Sequence, residues 1–536
     1  MSQDASRRQV VVGAAATAAT AATAASSAKA ATGGGPIAAT KAGKVKGFIE
    51  DEIKVFLGVR YGADTATTRF AAPKPPQPWT GVRDALQHGA QAPQPVGGSG
   101  EGGGLFKSWA PSKPTMGEDC LFLNVWTPGL KDGKKRPVML WFHGGGFAAG
   151  SGASTAYEGT RLCRRGDVVV VTVNHRLNLF GHLYLAQYGE PFADSGNAGL
   201  LDLVLALQWV RDNAAEFGGD PDNVTIFGES GGGSKVSTLM AMDAAKGLFH
   251  RAAVQSGAWL TVSPAANASA ASAKVVEKLG LTPETIDQIR TMPIEKIQAA
   301  AVGSMAGSGP VVDGKNLARH PFTPDAPAQS KDVPLLIGLN RTESTLLIGS
   351  RDPSLFDLSW ETLPAKLGFM LPGLDTPAII AEYRRLHPTY SPSDLFFAAT
   401  TDSRFLRGHV LEAERQAALA GAPVYFYVLE WETPVDGGKW RSPHALEIGF
   451  VFDNVAKSES MSGVGPDQQR IADLMSEAWL AFARTGNPNN KLLPAWPAYD
   501  AAKRASLVFD LTPTVVEDWH GAERALFTKL PMGPMG

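Results

Sequence analysis

The stretch Val224-Thr225-Ile226-Phe227-Gly228-Glu229-Ser230-Gly231-Gly232 joins an apolar, β-prone run to a serine set among glycines, and residues 234–242 beyond it are compatible with a helix. Strand, tight turn and helix in that order make a nucleophile elbow, whose strained turn lifts the Ser230 hydroxyl above the edge of a sheet. The glycines let neighbouring backbone pass where a side chain would clash. A helix start adds unpaired N–H groups able to hold a developing oxyanion. A glycine-rich loop that merely turns the chain would look the same locally, so the surrounding sequence has to decide.

Upstream, an apolar strand at residues 137–142 ends in His143-Gly144-Gly145-Gly146-Phe147. Three successive glycines after a buried strand are costly unless the backbone itself has a task. The N–H groups of Gly145 and Gly146, together with that of Gly231, are predicted to form a three-donor oxyanion hole. Residues 167–173 form a continuous β-branched run, as in a parallel strand covered on both faces. Residues 197–217 carry apolar positions at helical spacing and stop at Gly218-Gly219; residues 251–255 read as a further strand. The alternation predicts an α/β protein with a large, mostly parallel central sheet flanked by helices, and the elbow at the carboxyl end of its strand.

A serine hydroxyl needs a base, and the base needs a carboxylate to fix its tautomer. Residues 333–339 read as a strand, followed by the turn Asn340-Arg341-Thr342-Glu343. Glu343 stands where the acid belongs, although an exposed loop glutamate paired with Arg341 fits the position equally. Beyond it lie His387, His409, His444 and His520. His444, in the loop Arg441-Ser442-Pro443-His444 after a strand at 424–429, is the expected base, and the other three are expected in solvent or core. Activity resting on such a histidine should fall as pH drops through about 6.5.

With 536 residues, 44% of them hydrophobic and 19% charged, the chain can bury a large core, and residues 43–530 are expected to form a single domain. A formal net charge of −2, with both signs mixed along the chain, leaves no electrostatic footprint for nucleic acid or an anionic membrane. Ser6-Arg7-Arg8, Val10-Val11-Val12, a long Ala/Thr run and Ala28-Lys29-Ala30 make residues 1–30 similar to a twin-arginine export signal. That predicts an exported protein, periplasmic or secreted, followed by a disordered linker at 31–42. No other apolar stretch is long enough to span a bilayer. Residues 44–50 and 53–59 are expected to form a hairpin turning at Glu50-Asp51-Glu52. Cys120 and Cys163 allow one bridge and no multi-cysteine metal site.

From about residue 43 to 485 the chain resembles the type-B carboxylesterases, the family of bacterial para-nitrobenzyl esterases, liver carboxylesterases and cholinesterases. The resemblance is carried by Arg69-Phe70…Pro73, residues 118–125, Gly144-Gly145-Gly146-Phe147, Asn174-His175-Arg176-Leu177, Gly219-Asp220-Pro221-Asp222-Asn223-Val224-Thr225 leading into the elbow, Gln255-Ser256-Gly257 and His444-Ala445-Leu446-Glu447. It implies an α/β-hydrolase fold with inserted loops and helices forming a gorge, and hydrolysis of small to medium carboxylic esters through an acyl-enzyme, without metal or other cofactor. Ser230 is then the nucleophile, Glu343 the acid and His444 the base, with Gly145, Gly146 and Gly231 as oxyanion donors. Glu229, Ser256 and Glu447 resemble the family's buried polar supports. A non-catalytic cholinesterase-like binding module, or an amidase, lactonase or lipase on the same triad, are the alternatives.

Three positions depart from the family. Ala92 stands where a cysteine partner of Cys120 is common, Gly231 where alanine is common, and His175 where tyrosine is common. The glycine is expected to loosen the backbone. Gorge residues are expected from loops near 97–116, 259–265, 344–369 and 431–440, while Trp259, Phe369, Trp440 and Phe450 fit either a pocket or the core.

Overall fold

The computed structural model describes residues 34–95, 104–110 and 115–530; the expected export signal and residues 97–103 of the glycine-rich loop lie outside them. Eleven strands pair into one sheet. In chain order they are β1 (Phe48–Glu50), β2 (Ile53–Arg60), β3 (Phe122–Thr127), β4 (Arg136–Phe142), β5 (Val169–Val173), β6 (Gly219–Glu229), β7 (Arg251–Gln255), β8 (Leu335–Asn340), β9 (Val424–Leu429), β10 (Ser506–Phe509) and β11 (Thr514–Val516). Across the sheet the order is β11-β10-β9-β8-β7-β6-β4-β5-β3-β2-β1. From β5 through β4 to β10 every neighbour is parallel, and the antiparallel pairings are confined to the two margins. Every residue of β5, β8 and β9 is buried, which is why these strands read as unbroken apolar runs.

The strand order places the site. After β4 the chain adds β5 on one side, then returns through the helix Ala198–Asn213 to add β6 on the other. The winding direction reverses there, so a crevice opens outside the carboxyl ends of β4 and β6. The helix predicted at 197–217 is this one, extended by 3₁₀ turns at Ser195–Asn197 and Ala214–Phe217 and stopped by Gly218 at φ 69°.

Two expectations near the amino end change. Residues 37–39, placed in a disordered linker, form a strand, Ile37–Ala39, paired antiparallel with Lys44–Lys46. The hairpin is shorter than expected, because the chain switches sheets at Gly47: Lys44–Lys46 joins Val82–Asp84, and only Phe48–Glu50 pairs with β2. A Cβ at Gly47 would come within 2.2 Å of the Val55 carbonyl oxygen, so only glycine permits that crossing. Cys120 and Cys163 are free and fully buried in different core clusters, and burial raises both thiol pKa values. Ala92, which takes the place of a cysteine partner for Cys120, is buried in the same cluster as Cys120.

The chain leaving β5 is anchored by charge. Arg176, 2% exposed, binds Asp202 through Nε and Nη2, the latter at 2.7 Å, while other guanidinium hydrogens reach the carbonyls of Ala71 and Ala198. Asp202 also accepts the Arg176 backbone N–H at 2.9 Å. Removing one partner of such a buried pair strands the other. Asp202→Ala should therefore lower unfolding free energy by about 3–5 kcal/mol, read from denaturant or thermal melts; a loss under ~1 kcal/mol would contradict this account.

Candidate active site

Ser230 sits between β6 and the helix Gly231–Met240 with φ 54° and ψ −124°, a conformation a non-glycine residue adopts only when its surroundings enforce it. The enforcement is visible on both sides. Its N–H donates to Gln255 O on β7 at 2.8 Å, and its carbonyl accepts from Ser234 N at 3.0 Å. Gly231 follows with the backbone of Gly146 pressed against it: a Cβ there would lie 2.2 Å from Gly146 O and 2.4 Å from its Cα. Close approach of two backbones, rather than looseness, is what glycine provides at this position.

The glycine loop after β4 turns through left-handed conformations at Gly145 (φ 83°) and Gly146 (φ 61°). Neither of their N–H groups donates to a backbone carbonyl among the described residues, and Gly231, as the first residue of its helix, has no intrahelical acceptor. All three glycines line the same cavity as Ser230 and His444. The loop is held by a residue that sequence reading passed over. Lys235, fully buried in the helix after the serine, donates through Nζ to His143 O and Gly146 O, each at 2.9 Å, with the Phe147 ring 5.4 Å away. Burial lowers its pKa to about 7, with Glu229 pulling the other way. The signal was a lysine among small residues immediately after the elbow. His175 also acquires a contact, stacking on His143 with ring centroids 5.0 Å apart. Burial lowers both imidazole pKa values, so the stack under the glycine loop is neutral.

Glu343, at the end of β8, is fully buried and does not pair with Arg341, which binds Glu432 instead. Its Oε1 accepts from Ser256 Oγ and from the Asn340 N–H, both at 2.6 Å, and its Oε2 meets His444 Nδ1 at 2.5 Å. Ser256 reaches it from the end of β7 with φ 49°. Behind them Asn340 Nδ2 ties Pro443 O at 2.8 Å and Glu447 Oε2 at 2.6 Å, fixing the loop that carries His444. Glu229 is closer to the chemistry than a support: its Oε1 lies 3.1 Å from His444 Nε2. No hydrogen bond joins that nitrogen to Ser230 Oγ among the described residues.

The other histidines are structural. His409 Nδ1 meets Phe405 O at 2.7 Å, His387 pairs with Glu523 at 2.6 Å and His520 with Asp402 at 3.1 Å. His387, His520 and Glu523 are near enough to share an ion, but His387 and Glu523 are already bound to each other and none of the three lines the cavity.

The cavity encloses about 1660 Å³. Its walls come from the loops expected, including Phe106, Trp109, Trp259, Phe369 and Trp440, and also from a segment not expected, residues 403–408. Phe450 is no part of it; it is buried against Trp431 with centroids 5.4 Å apart.

Burial by itself would lower the His444 pKa, but the charges of Glu229 and Glu343 and the hydrogen bond to Glu343 outweigh it and push the imidazole up to about 9. Burial, reinforced by Glu447 and Glu343, raises Glu229 as well. Both directions mean that the Glu229–His444 pair keeps a proton at neutral pH, so the ordinary value near 6.5 does not apply. A raised imidazole pKa contributes stability that is complete below about 6.5 and disappears as pH rises through about 9. Imidazole titration followed by NMR should place His444 above ordinary histidine, and Glu229→Gln should move it lower; an unmoved titration would refute the assignment of the shift to Glu229.

Comparison with known proteins identifies the family and the fold. The model described as "Carboxylesterase family" matches residues 34–527. The chain is 36% identical over 500 residues to the para-nitrobenzyl esterase of Bacillus subtilis (strain 168), covering 91% of this chain and 97% of that protein. It is 33% identical to the cocaine esterase of Homo sapiens, over 90% of this chain and 89% of that protein. A crystal structure of a Geobacillus stearothermophilus carboxylesterase superposes with a TM-score of 0.79 at 38% identity, covering 92% of this chain and all of that one. The fold is thus that of the α/β-hydrolases, and since the match encloses every strand of the sheet, the chain belongs to the carboxylesterase family.

Proposed function

We propose that this carboxylic-ester hydrolase works through an acyl-enzyme on Ser230, with His444 as base, Glu343 as its orienting acid, and the N–H groups of Gly145, Gly146 and Gly231 as oxyanion donors. The observation that carries the reading is the strained Ser230 backbone at the floor of a cavity shared with the buried His444–Glu343 pair and the glycine loop. Ser230 Oγ attacks the ester carbonyl carbon while its proton passes to His444 Nε2. The tetrahedral oxyanion is held by the three glycine donors, and His444 returns the proton to the departing alcohol. Water, deprotonated by the same nitrogen, then releases the acid and restores the serine. For the first step the proton held between Glu229 and His444 passes to Glu229 Oε1, whose pKa burial raises, and Nε2, now unprotonated, turns towards Ser230; a substrate that excludes water from the crevice favours this neutral pair over the ion pair. Each oxyanion donor is worth roughly 3 kcal/mol, and the base about 10²- to 10⁴-fold.

The size and aromatic walls of the cavity support small to medium, predominantly apolar esters. Hydrolysis of para-nitrophenyl butyrate by the full chain at neutral pH should be readily measurable, and Ser230→Ala should lower kcat by roughly 10⁶-fold. Undiminished turnover in that variant would remove Ser230 from the mechanism; turnover of para-nitroanilide analogues at comparable rates would shift the assignment to an amidase.

The export reading belongs to the same proposal and rests on Ser6-Arg7-Arg8, the weakly apolar run behind it and Ala28-Lys29-Ala30. Replacing Arg7 and Arg8 by lysine should trap the esterase activity with the cytoplasmic fraction. Unchanged activity in the exported fraction would refute a twin-arginine route.

A further inference from the structure

The cavity wall is mostly apolar with scattered hydroxyl groups, and its cationic side chains are three arginines. Arg351 follows the turn Thr345–Gly349 beyond the acid strand, and Arg404 and Arg407 come from the turn Asp402–Leu406 and the start of the helix Arg407–Ala418. Between the latter two, Phe405 packs 5.6 Å from the His444 ring, so this segment lies directly beside the reacting groups. The only acidic residue on the wall, among the described residues, is Glu229, at the floor and engaged with His444.

Arginines elsewhere in the chain, such as Arg136, Arg176 and Arg441, sit on carboxylates. These three meet none among the described residues. Among the described residues Arg407 donates one hydrogen bond, to Thr528 O at 3.3 Å, and the Arg351 and Arg404 guanidinium groups have no acceptor. Burial and the nearby charge of Arg351 both lower the pKa of Arg404, and burial lowers that of Arg407. Arg351 and Arg404 are solvent-exposed and Arg407 is half-buried, so three like charges stand together with no carboxylate partner among the described residues and with fork-shaped donors open to an anion.

Resting on the ester-hydrolysis reading, we infer that Arg351, Arg404 and Arg407 form an anion subsite that selects esters whose acyl chain ends in a carboxylate, the half-esters of dicarboxylic acids. The distal carboxylate takes the guanidinium donors while the methylene chain lies along the aromatic wall and the ester carbonyl reaches Ser230. A positive rim also raises the encounter rate for such substrates in a way that salt suppresses.

The test pairs substrates that differ only in that carboxylate: mono-4-nitrophenyl adipate, suberate and sebacate against 4-nitrophenyl hexanoate, octanoate and decanoate. At one or more chain lengths kcat/KM should favour the half-ester by about tenfold or more, as one charge-assisted contact would give. The preference should shrink in 0.5 M sodium chloride and fall towards unity in an Arg351→Gln, Arg404→Gln variant. The ratio is the readout because damage to folding lowers both substrates together and leaves it unmoved. Equal or better turnover of the neutral ester at every length, or a ratio indifferent to the double substitution, would overturn the inference while leaving the hydrolase reading intact. Failure to turn over either ester would overturn the hydrolase reading itself, and the subsite with it.

Discussion

Everything at this site depends on two backbones passing closer than side chains allow. The loop after β4 and the turn after β6 lie on adjacent parallel strands, and Gly146 rests on Gly231 with no room for a methyl group between them. An alanine at 231 would require the Gly146 backbone to move outward. Lys235 secures the same contact from below by binding the carbonyls of His143 and Gly146, so the loop is held by a buried amine on one side and by bare glycine on the other. The left-handed Ser230 belongs to this arrangement. Its strain persists because β7 and the following helix each take one of its backbone groups.

Around that backbone scaffold the side-chain chemistry is a problem of too many carboxylates. Glu229, Glu343 and Glu447 approach one imidazole from the ends of β6 and β8 and from the helix Glu447–Val451. In water their mutual repulsion would be slight; beneath this sheet edge it is large, and the site relieves it by retaining protons. Glu343 is relieved by hydrogen bonds from Ser256 and Asn340, and Glu447 by Asn340. Glu229 has no such hydrogen bond among the described residues, only the nearby charges of His444 and Lys235. That difference leaves Glu343 a fixed carboxylate and Glu229 one whose pKa burial raises.

Much of this was legible in the chain, and the reasons are physical. The elbow, the glycine loop and the buried strands depend on local backbone demands, which short stretches of sequence express directly. Glu343 and His444 were placed by order along the chain and by the resemblance, and the structure brings them together across about a hundred residues. What escaped was everything set by packing between distant segments. The 3.1 Å approach of Glu229 to His444, the close contact at Gly231, the role of Lys235 and the arginines at 351, 404 and 407 all need two or more loops in register. Phe450 shows the converse, since an aromatic near the site in sequence can still face the core.

The two free cysteines have a consequence for how the molecule breathes. Cys120 and Cys163 belong to separate hydrophobic clusters, and neither thiol reaches solvent in the closed state. A soluble thiol reagent can label either one only through an excursion that opens its cluster. Labelling kinetics at the two positions are thus independent clocks, and whether they tick together reports whether the domain opens as one cooperative body or in parts.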